Sequence, residues 1–168
     1  MKRTHLFLTF TLLSLFTAAG VADDKQKPSA SEKTDRAALE NALSKKLTNA
    51  TLVGTFTVDG RSDKPPRPER YTLGEVKKLK DDIWMFQAHI QYGTTDIKVP
   101  LPLTILWAGD TPMISMTDFT IPGMGTFTAR VFFYGDRYAG TWQHGKVGGH
   151  MFGKIEPPKK KEKEAEKK

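Results

Sequence analysis

The chain has 168 residues, of which 38% are hydrophobic, and it carries a net charge of +7. This length supports one hydrophobic core, and the complete absence of cysteine excludes disulfides and a lipid-modified cysteine. Most of the charge lies at the two ends: residues 23–158 hold 18 basic and 16 acidic side chains, which excludes the strongly basic domain typical of nucleic-acid binding.

The first 22 residues have the pattern of a secretory signal peptide. Lys2 and Arg3 precede an apolar run over residues 6–16, and small residues follow up to Ala22. The run is too short to span a membrane. We therefore expect cleavage after Ala22 or close to it. An exported domain without disulfides suits the periplasm or the extracellular space of a bacterium.

A linker and one helix are predicted next. Residues 23–34 are polar and contain Pro28, as is typical of a linker. We place the folded domain at residues 35–156. Its first element is an amphipathic helix of about three turns from Asp35 to Leu47, because apolar side chains recur there every four residues among charges. These are Leu39, Leu43 and Leu47.

From Leu52 onward the apolar residues alternate with a period of two, which indicates β-strands. Eight segments are predicted, the second of them bent near Gly74: residues 52–58, 71–79, 84–92, 97–107, 113–121, 126–134, 138–143 and 147–155. Only one connection is long, the proline-containing loop of residues 59–69. Short connections favour an up-and-down antiparallel barrel, whose interior is filled or holds one small ligand. A two-sheet sandwich is the main alternative fold.

Two prolines mark one side of the fourth predicted strand. Pro100 and Pro102 are two residues apart, so both lack the N–H donor that would be directed to the same neighbouring strand. We expect the sheet to be weakened or open on that side.

A short motif carries a resemblance to a known group of families. The segment Leu52-Val53-Gly54-Thr55-Phe56, after a helix and at the start of eight strands, resembles the G-x-W opening of calycin-like barrels, namely lipocalins, fatty-acid-binding proteins and avidins. Phe56 stands where those families have tryptophan, and Gly140-Thr141-Trp142 repeats the G-x-W pattern near the other end. The resemblance covers residues 35–156 and implies a barrel that holds a ligand.

Several aromatic residues are predicted to share the interior. The candidate ligand-binding residues form a hydrophobic cup with polar groups at its rim: Trp84, Tyr92, Trp107, Tyr138 and Trp142, with His89 and His150. The alternative is a packed core, in which these rings serve burial alone. The five glycines of residues 138–156 precede no helix, so we interpret them as sites of close backbone approach where a barrel closes.

No catalytic or metal-binding signature is apparent. His89, His144 and His150 lack the ligand spacing of a known zinc site, and the relative orientation of the last two depends on one turn. An even number of turn residues directs them to opposite faces, and an odd number to the same face. No G-x-S-x-G elbow, cysteine nucleophile or paired carboxylates occur. We therefore predict no cofactor and no metal, and we do not favour an enzyme.

The last segment, residues 157–168, is predicted to be a disordered tail, because its final ten residues comprise six lysines, three glutamates and one alanine. From this composition we expect at most weak electrostatic contact of the tail with a membrane, and no nucleic-acid partner. The function predicted from the sequence is binding of a small apolar or amphiphilic ligand within an exported barrel. The alternative is a structural or interaction module of the cell envelope with a filled core. The oligomeric state stays open.

Overall fold

The structure, a computed structural model, describes residues 30–158, with side-chain surroundings from Asp35 onward. The predicted signal peptide, most of the predicted linker and residues 159–168 of the predicted tail lie outside the described residues. The elements in chain order are α1 (Ala30–Leu47), β1 (Thr51–Phe56), β2 (Arg67–Lys80), β3 (Ile83–Tyr92), β4 (Thr95–Ala108), β5 (Thr111–Ile121), β6 (Gly125–Tyr134), β7 (Arg137–His144) and β8 (Val147–Glu156).

The eight strands form a closed antiparallel barrel. Each strand pairs with the next along the chain, and β8 pairs with β1 through a register that includes Gly54 opposite Gly153. Closure leaves no free sheet edge at the first or last strand. The up-and-down barrel is therefore confirmed over the two-sheet sandwich.

Alternation decides which side chains form the core. Odd and even positions of a strand face opposite sides of the sheet, and the predicted apolar faces are the buried ones. On β3, for example, Trp84, Phe86, Ala88 and Ile90 are buried. The pairing register shifts between Leu73 and Val76 on β2, and between Met116 and Phe119 on β5. The inward-facing positions of each strand resume after the shift. The bend predicted near Gly74 is thus confirmed as a β-bulge.

Helix α1 closes one end of the barrel, which we call the helix end: the end where β1 begins at Thr51. Leu43 and Leu47 are buried there and Leu39 is half-buried, so the apolar stripe predicted from the sequence faces the barrel. The helix begins at Ala30, so residues 30–34 of the predicted linker are helical. Within residues 30–158, no helix combines the length and apolarity needed to cross a lipid bilayer.

The end of α1 is held to the barrel by the bulge of β2. The Asn49 N–H donates to the Gly74 carbonyl, and the Val76 N–H donates to the Thr48 hydroxyl. The Ser44 hydroxyl donates to the Val76 carbonyl. A bulge leaves backbone groups unpaired within the sheet, and here residues from the helix end satisfy them. These hydrogen bonds hold the helix across the helix end of the barrel.

The proline-containing strand β4 is paired unevenly. It pairs with β3 from Thr95 to Thr104, but with β5 only from Thr104 to Ala108. Pro100 and Pro102 lie in the part without β5 partners. The one-sided weakening predicted from these prolines is therefore present in the barrel wall.

Candidate ligand-binding site

A cavity of about 380 Å³ lies inside the barrel. Its deeper wall is aliphatic and aromatic and includes Leu52, Leu73, Phe86, Leu101, Leu103, Val131 and Phe133. Two further lining residues, His144 and Val147, are exposed, so the cavity reaches the surface between them. This is the open end of the barrel, opposite the helix end, where the connection of residues 57–66 also lies. The volume is within the range of small-molecule sites, about 300–1,000 Å³.

Aromatic rings surround the cavity at the open end. Phe56 lies between Tyr92 and Trp142, and its ring contacts both edge to face, with centroid distances of 5.8 Å and 5.7 Å. The Trp142 indole N–H donates to the Thr57 carbonyl at 3.2 Å, which fixes the ring over the start of the connection. Rings held in this way supply a rigid apolar surface at the entrance.

A second entrance contact involves a histidine. The His144 ring packs edge to face on Phe127, with centroids 4.5 Å apart. A Cβ added at Gly125 would lie 2.8 Å from the His144 ring, so the glycine makes room for it. His144 thus forms part of the mouth of the cavity.

The buried carboxyl group of Glu69 lies in the cavity wall. Its position is set by a row of paired residues that crosses four strands. The register places Glu69 beside Gly54, Gly54 beside Gly153, and Gly153 beside Tyr138. Because neither glycine has a side chain, Tyr138 reaches over both strands, and its hydroxyl donates to Glu69 Oε1 at 2.8 Å. The Tyr71 hydroxyl donates to Glu69 Oε2 at 2.8 Å.

The surroundings of Glu69 set its electrostatics. Its side chain is among the buried ones although it is ionisable, with 4% of its surface exposed. Burial raises the pKa of the Glu69 carboxyl above its ordinary value of 4.5, and the hydrogen bonds from Tyr71 and Tyr138 oppose that rise only in part. Burial, followed by the nearby Glu69 charge, also raises the pKa of both tyrosines. The two hydroxyls therefore keep their protons and act as donors at neutral pH.

The predicted aromatic residues fall into three places. Tyr92 and Trp142 line the cavity and meet through Phe56. Trp84 and Tyr138 are buried outside the lining, Trp84 in the packed core near the helix end and Tyr138 behind Glu69. Trp107 lies under α1, where the Arg36 guanidinium is 4.7 Å from its ring centroid. The cup thus contains two of the five predicted rings.

The histidines divide between the two faces of the wall. The turn between β7 and β8 has two residues, Gly145 and Lys146, so His144 points inward and His150 outward. His150 contributes only backbone groups to the pairing with Thr57. On the outer face of β3, His89 Nε2 lies 2.6 Å from Asp96 Oδ1. Neither His89 nor His150 contributes to the cavity lining.

The sequence analysis did not identify the buried carboxyl group or two of the aromatic rings that line the cavity. Glu69 was assigned to the loop of residues 59–69, whereas β2 already begins at Arg67. The missed signal is the alternation of Glu69, Tyr71 and Leu73, which puts the carboxyl on the inward face. Phe56 and Phe127 also line the cavity, but the predicted set of binding residues contained no phenylalanine.

Four of the five glycines in residues 138–156 lie close to neighbouring atoms as predicted, whereas Gly145 has a positive φ in a turn, and an added Cβ there would meet nothing within 4 Å. A Cβ at Gly140 would lie 1.9 Å from the Arg130 carbonyl oxygen, and one at Gly149 2.0 Å from the Thr57 carbonyl oxygen. Among residues 35–158, no three histidine, aspartate or glutamate side chains come together as a metal-binding group. The described site therefore offers an apolar volume, an aromatic entrance and one carboxyl group.

Comparison with protein-family models, with curated proteins and with solved structures finds no match to this chain.

Proposed function

We propose that this protein binds a small apolar or amphiphilic ligand inside its barrel. The observation that carries the proposal is the cavity of about 380 Å³, walled by apolar side chains and reaching the surface at one end. A packed interior would serve stability alone, because proteins normally fill their cores to the density of organic crystals. An unfilled apolar volume of this size forgoes such contacts, and occupancy by a ligand would recover them.

The arrangement of the two ends supports the proposal. Helix α1 blocks the helix end through Leu43 and Leu47, so a ligand would enter and leave at the open end. There the aromatic rings of Phe56, Tyr92 and Trp142 offer apolar contact to an entering molecule. The proposed relation to calycin-like barrels agrees with this arrangement, since lipocalins and avidins hold ligands within eight-stranded barrels.

We further propose that the protein acts outside the cytoplasm, because its first 22 residues have the features of a signal peptide. Expression of the full chain in a bacterium, followed by fractionation and N-terminal sequencing, tests this part. A mature protein that begins near Asp23 in the periplasm or medium is expected. Full-length protein in the cytoplasm would contradict it.

Ligand binding is tested with N-phenylnaphthylamine, a neutral apolar probe that fluoresces more strongly in apolar surroundings. We expect saturable binding with one site per chain. Ala88 lines the cavity, so Ala88→Phe should reduce probe binding by filling it. The control is Gln87→Phe, which adds a ring to the same strand on its exposed outer face. Absence of saturable binding, or equal effects of the two variants, would refute the proposal.

The second candidate is an interaction module, favoured by an apolar row on the outer wall near the helix end. Register places five outward residues side by side across five strands: Leu106, Met113, Phe132, Ala139 and Phe152. Exposed apolar patches commonly mark interaction sites. Analytical ultracentrifugation and pull-down from envelope extract, each repeated with Phe132→Ser, test this candidate. Results unchanged by the substitution would remove it.

A further inference from the structure

The carboxyl group of Glu69 has free hydrogen-bonding capacity inside the cavity. A carboxylate accepts about four hydrogen bonds, and the tyrosine hydroxyls of Tyr71 and Tyr138 occupy one position on each oxygen. In the part of the chain that the structure describes, no other side chain is hydrogen-bonded to it. Since Glu69 also lines the cavity, its remaining acceptor positions are available to a ligand.

The same carboxyl group lacks a positive partner among the described residues. Within residues 35–158, the cavity lining contains no lysine or arginine, and no ion pair includes Glu69. His144 also lines the cavity, but it belongs to the mouth, three inward-facing positions along β7 from Tyr138. A charge buried in apolar surroundings is costly unless it is paired. The two tyrosines supply hydrogen bonds but no charge.

We infer that the ligand of this cavity is an amphiphile whose apolar body carries a cationic amine, and that Glu69 accepts the hydrogen bonds of this amine. The inference rests on the proposed function and names the ligand class of the same site. An ammonium group has donors only, so it complements a carboxylate whose remaining positions are acceptors. A hydroxyl head group donates one bond without charge, and a carboxylate head group would place a like charge beside Glu69.

The test compares three ligands that share one alkyl chain. Decylamine, decanol and decanoic acid compete with N-phenylnaphthylamine for the full mature protein at about pH 8, below their micelle concentrations, where the amine is cationic and the acid anionic. We expect decylamine to bind about tenfold to a hundredfold more tightly than decanol, as for a charge-assisted hydrogen bond. Decanoic acid should bind most weakly.

Each outcome separates the inference from the proposed function. If all three compounds displace the probe with equal affinity, or if the acid binds most tightly, the amine inference is refuted and the proposed function stands. If the probe itself does not bind, the proposed function fails and the inference fails with it.

A pair of variants shows whether Glu69 is responsible. Glu69→Gln keeps the size of the side chain but not its charge, so it should lose the preference for decylamine over decanol. Glu75→Gln is the matched control, because Glu75 lies exposed on the same strand and pairs with Lys77. An amine preference that survives Glu69→Gln would refute the assignment. Should this variant fail to fold, the comparison of the three ligands on the wild-type protein decides the inference alone.

Discussion

The hydroxyl of Tyr138 on β7 donates to Oε1 of Glu69 on β2 at 2.8 Å, although β8 and β1 lie between these two strands. Contact over this distance is possible because the intervening strands carry Gly54 and Gly153 at the same level. The hydrogen bond thus ties together four strands at the seam where the barrel closes. It also sets the position of the one carboxyl group among the described lining residues.

Removal of the Tyr138 hydroxyl should destabilise the protein. Tyr138→Phe leaves a buried carboxyl oxygen of Glu69 without its partner, at a cost of about 1–3 kcal/mol in the free energy of unfolding. Urea unfolding at neutral pH measures the change. Tyr134→Phe is the control, since Tyr134 is 71% exposed, and it should change the stability by less than about 0.5 kcal/mol. Equal effects would show that the bond to Glu69 contributes nothing.

A side chain at Gly54, where the barrel closes, should not be tolerated. A Cβ at Gly54 would lie 2.2 Å from the Phe152 carbonyl oxygen and 2.3 Å from the Tyr138 hydroxyl, so Gly54→Ala must displace Tyr138 or part the strands. We expect a loss of about 1–3 kcal/mol, as in overpacked cores. Thermal unfolding compares it with Gly74→Ala, where the nearest atom is the Gln87 Cβ at 3.1 Å. A Gly54→Ala protein as stable as Gly74→Ala would contradict this packing.

The stability contributed by Glu69 should fall as the pH rises. Its pKa is raised in the folded protein, so the folded state holds the proton more tightly than the unfolded state. The wild type should therefore lose stability relative to Glu69→Gln as the pH rises from its unfolded pKa, about 4.5, through the folded pKa, and the difference should then level off.

Urea unfolding of both proteins between about pH 4 and pH 8 measures this difference. The titratable groups that face Glu69 are Tyr71 and Tyr138, and burial raises the pKa of both hydroxyls, so they stay protonated throughout this range. Both proteins share every other side chain, so the difference between them reports on Glu69. A wild type that gains stability relative to Glu69→Gln as the pH rises would contradict the raised pKa.

One tryptophan should report on cavity occupancy. Trp142 lines the cavity, whereas Trp84 is buried in the core and Trp107 lies under Arg36 at the helix end. Saturation with decanol should change the intrinsic fluorescence of the wild type and of Trp107→Phe, but not that of Trp142→Phe. A ligand-dependent change that persists in Trp142→Phe, or disappears in Trp107→Phe, would place the ligand elsewhere.

The packing of α1 should stabilise the whole barrel. Leu47 is fully buried, and Leu47→Ala should cost about 2–5 kcal/mol in the free energy of unfolding because it leaves a void between helix and barrel. Lys45→Ala, on the exposed side of the same helix turn, should change stability by less than about 0.5 kcal/mol. Circular dichroism during urea unfolding measures both. A small effect of Leu47→Ala would mean that the helix end contributes little to stability.

The candidate site was predicted only in part from the sequence. Tyr92 and Trp142 were placed correctly in the interior because strand alternation assigns faces without knowledge of the fold. The same alternation gives no depth along the barrel, so it could not separate Trp84 and Trp107, near the helix end, from the rings at the open end. His89 and His150 were proposed as rim groups, but both lie on the outer wall.

The sequence by itself determined the local properties of this protein. The period of two predicted the strands and their inward faces, and the short connections favoured a barrel. Pro100 and Pro102 predicted the side on which β4 is partly unpaired. Only the tertiary structure decided how closure combines distant strands. Glu69 and Tyr138 are 69 residues apart, and they meet because β8 returns to β1 in a register that aligns two glycines. That register depends on the pairing of the whole barrel.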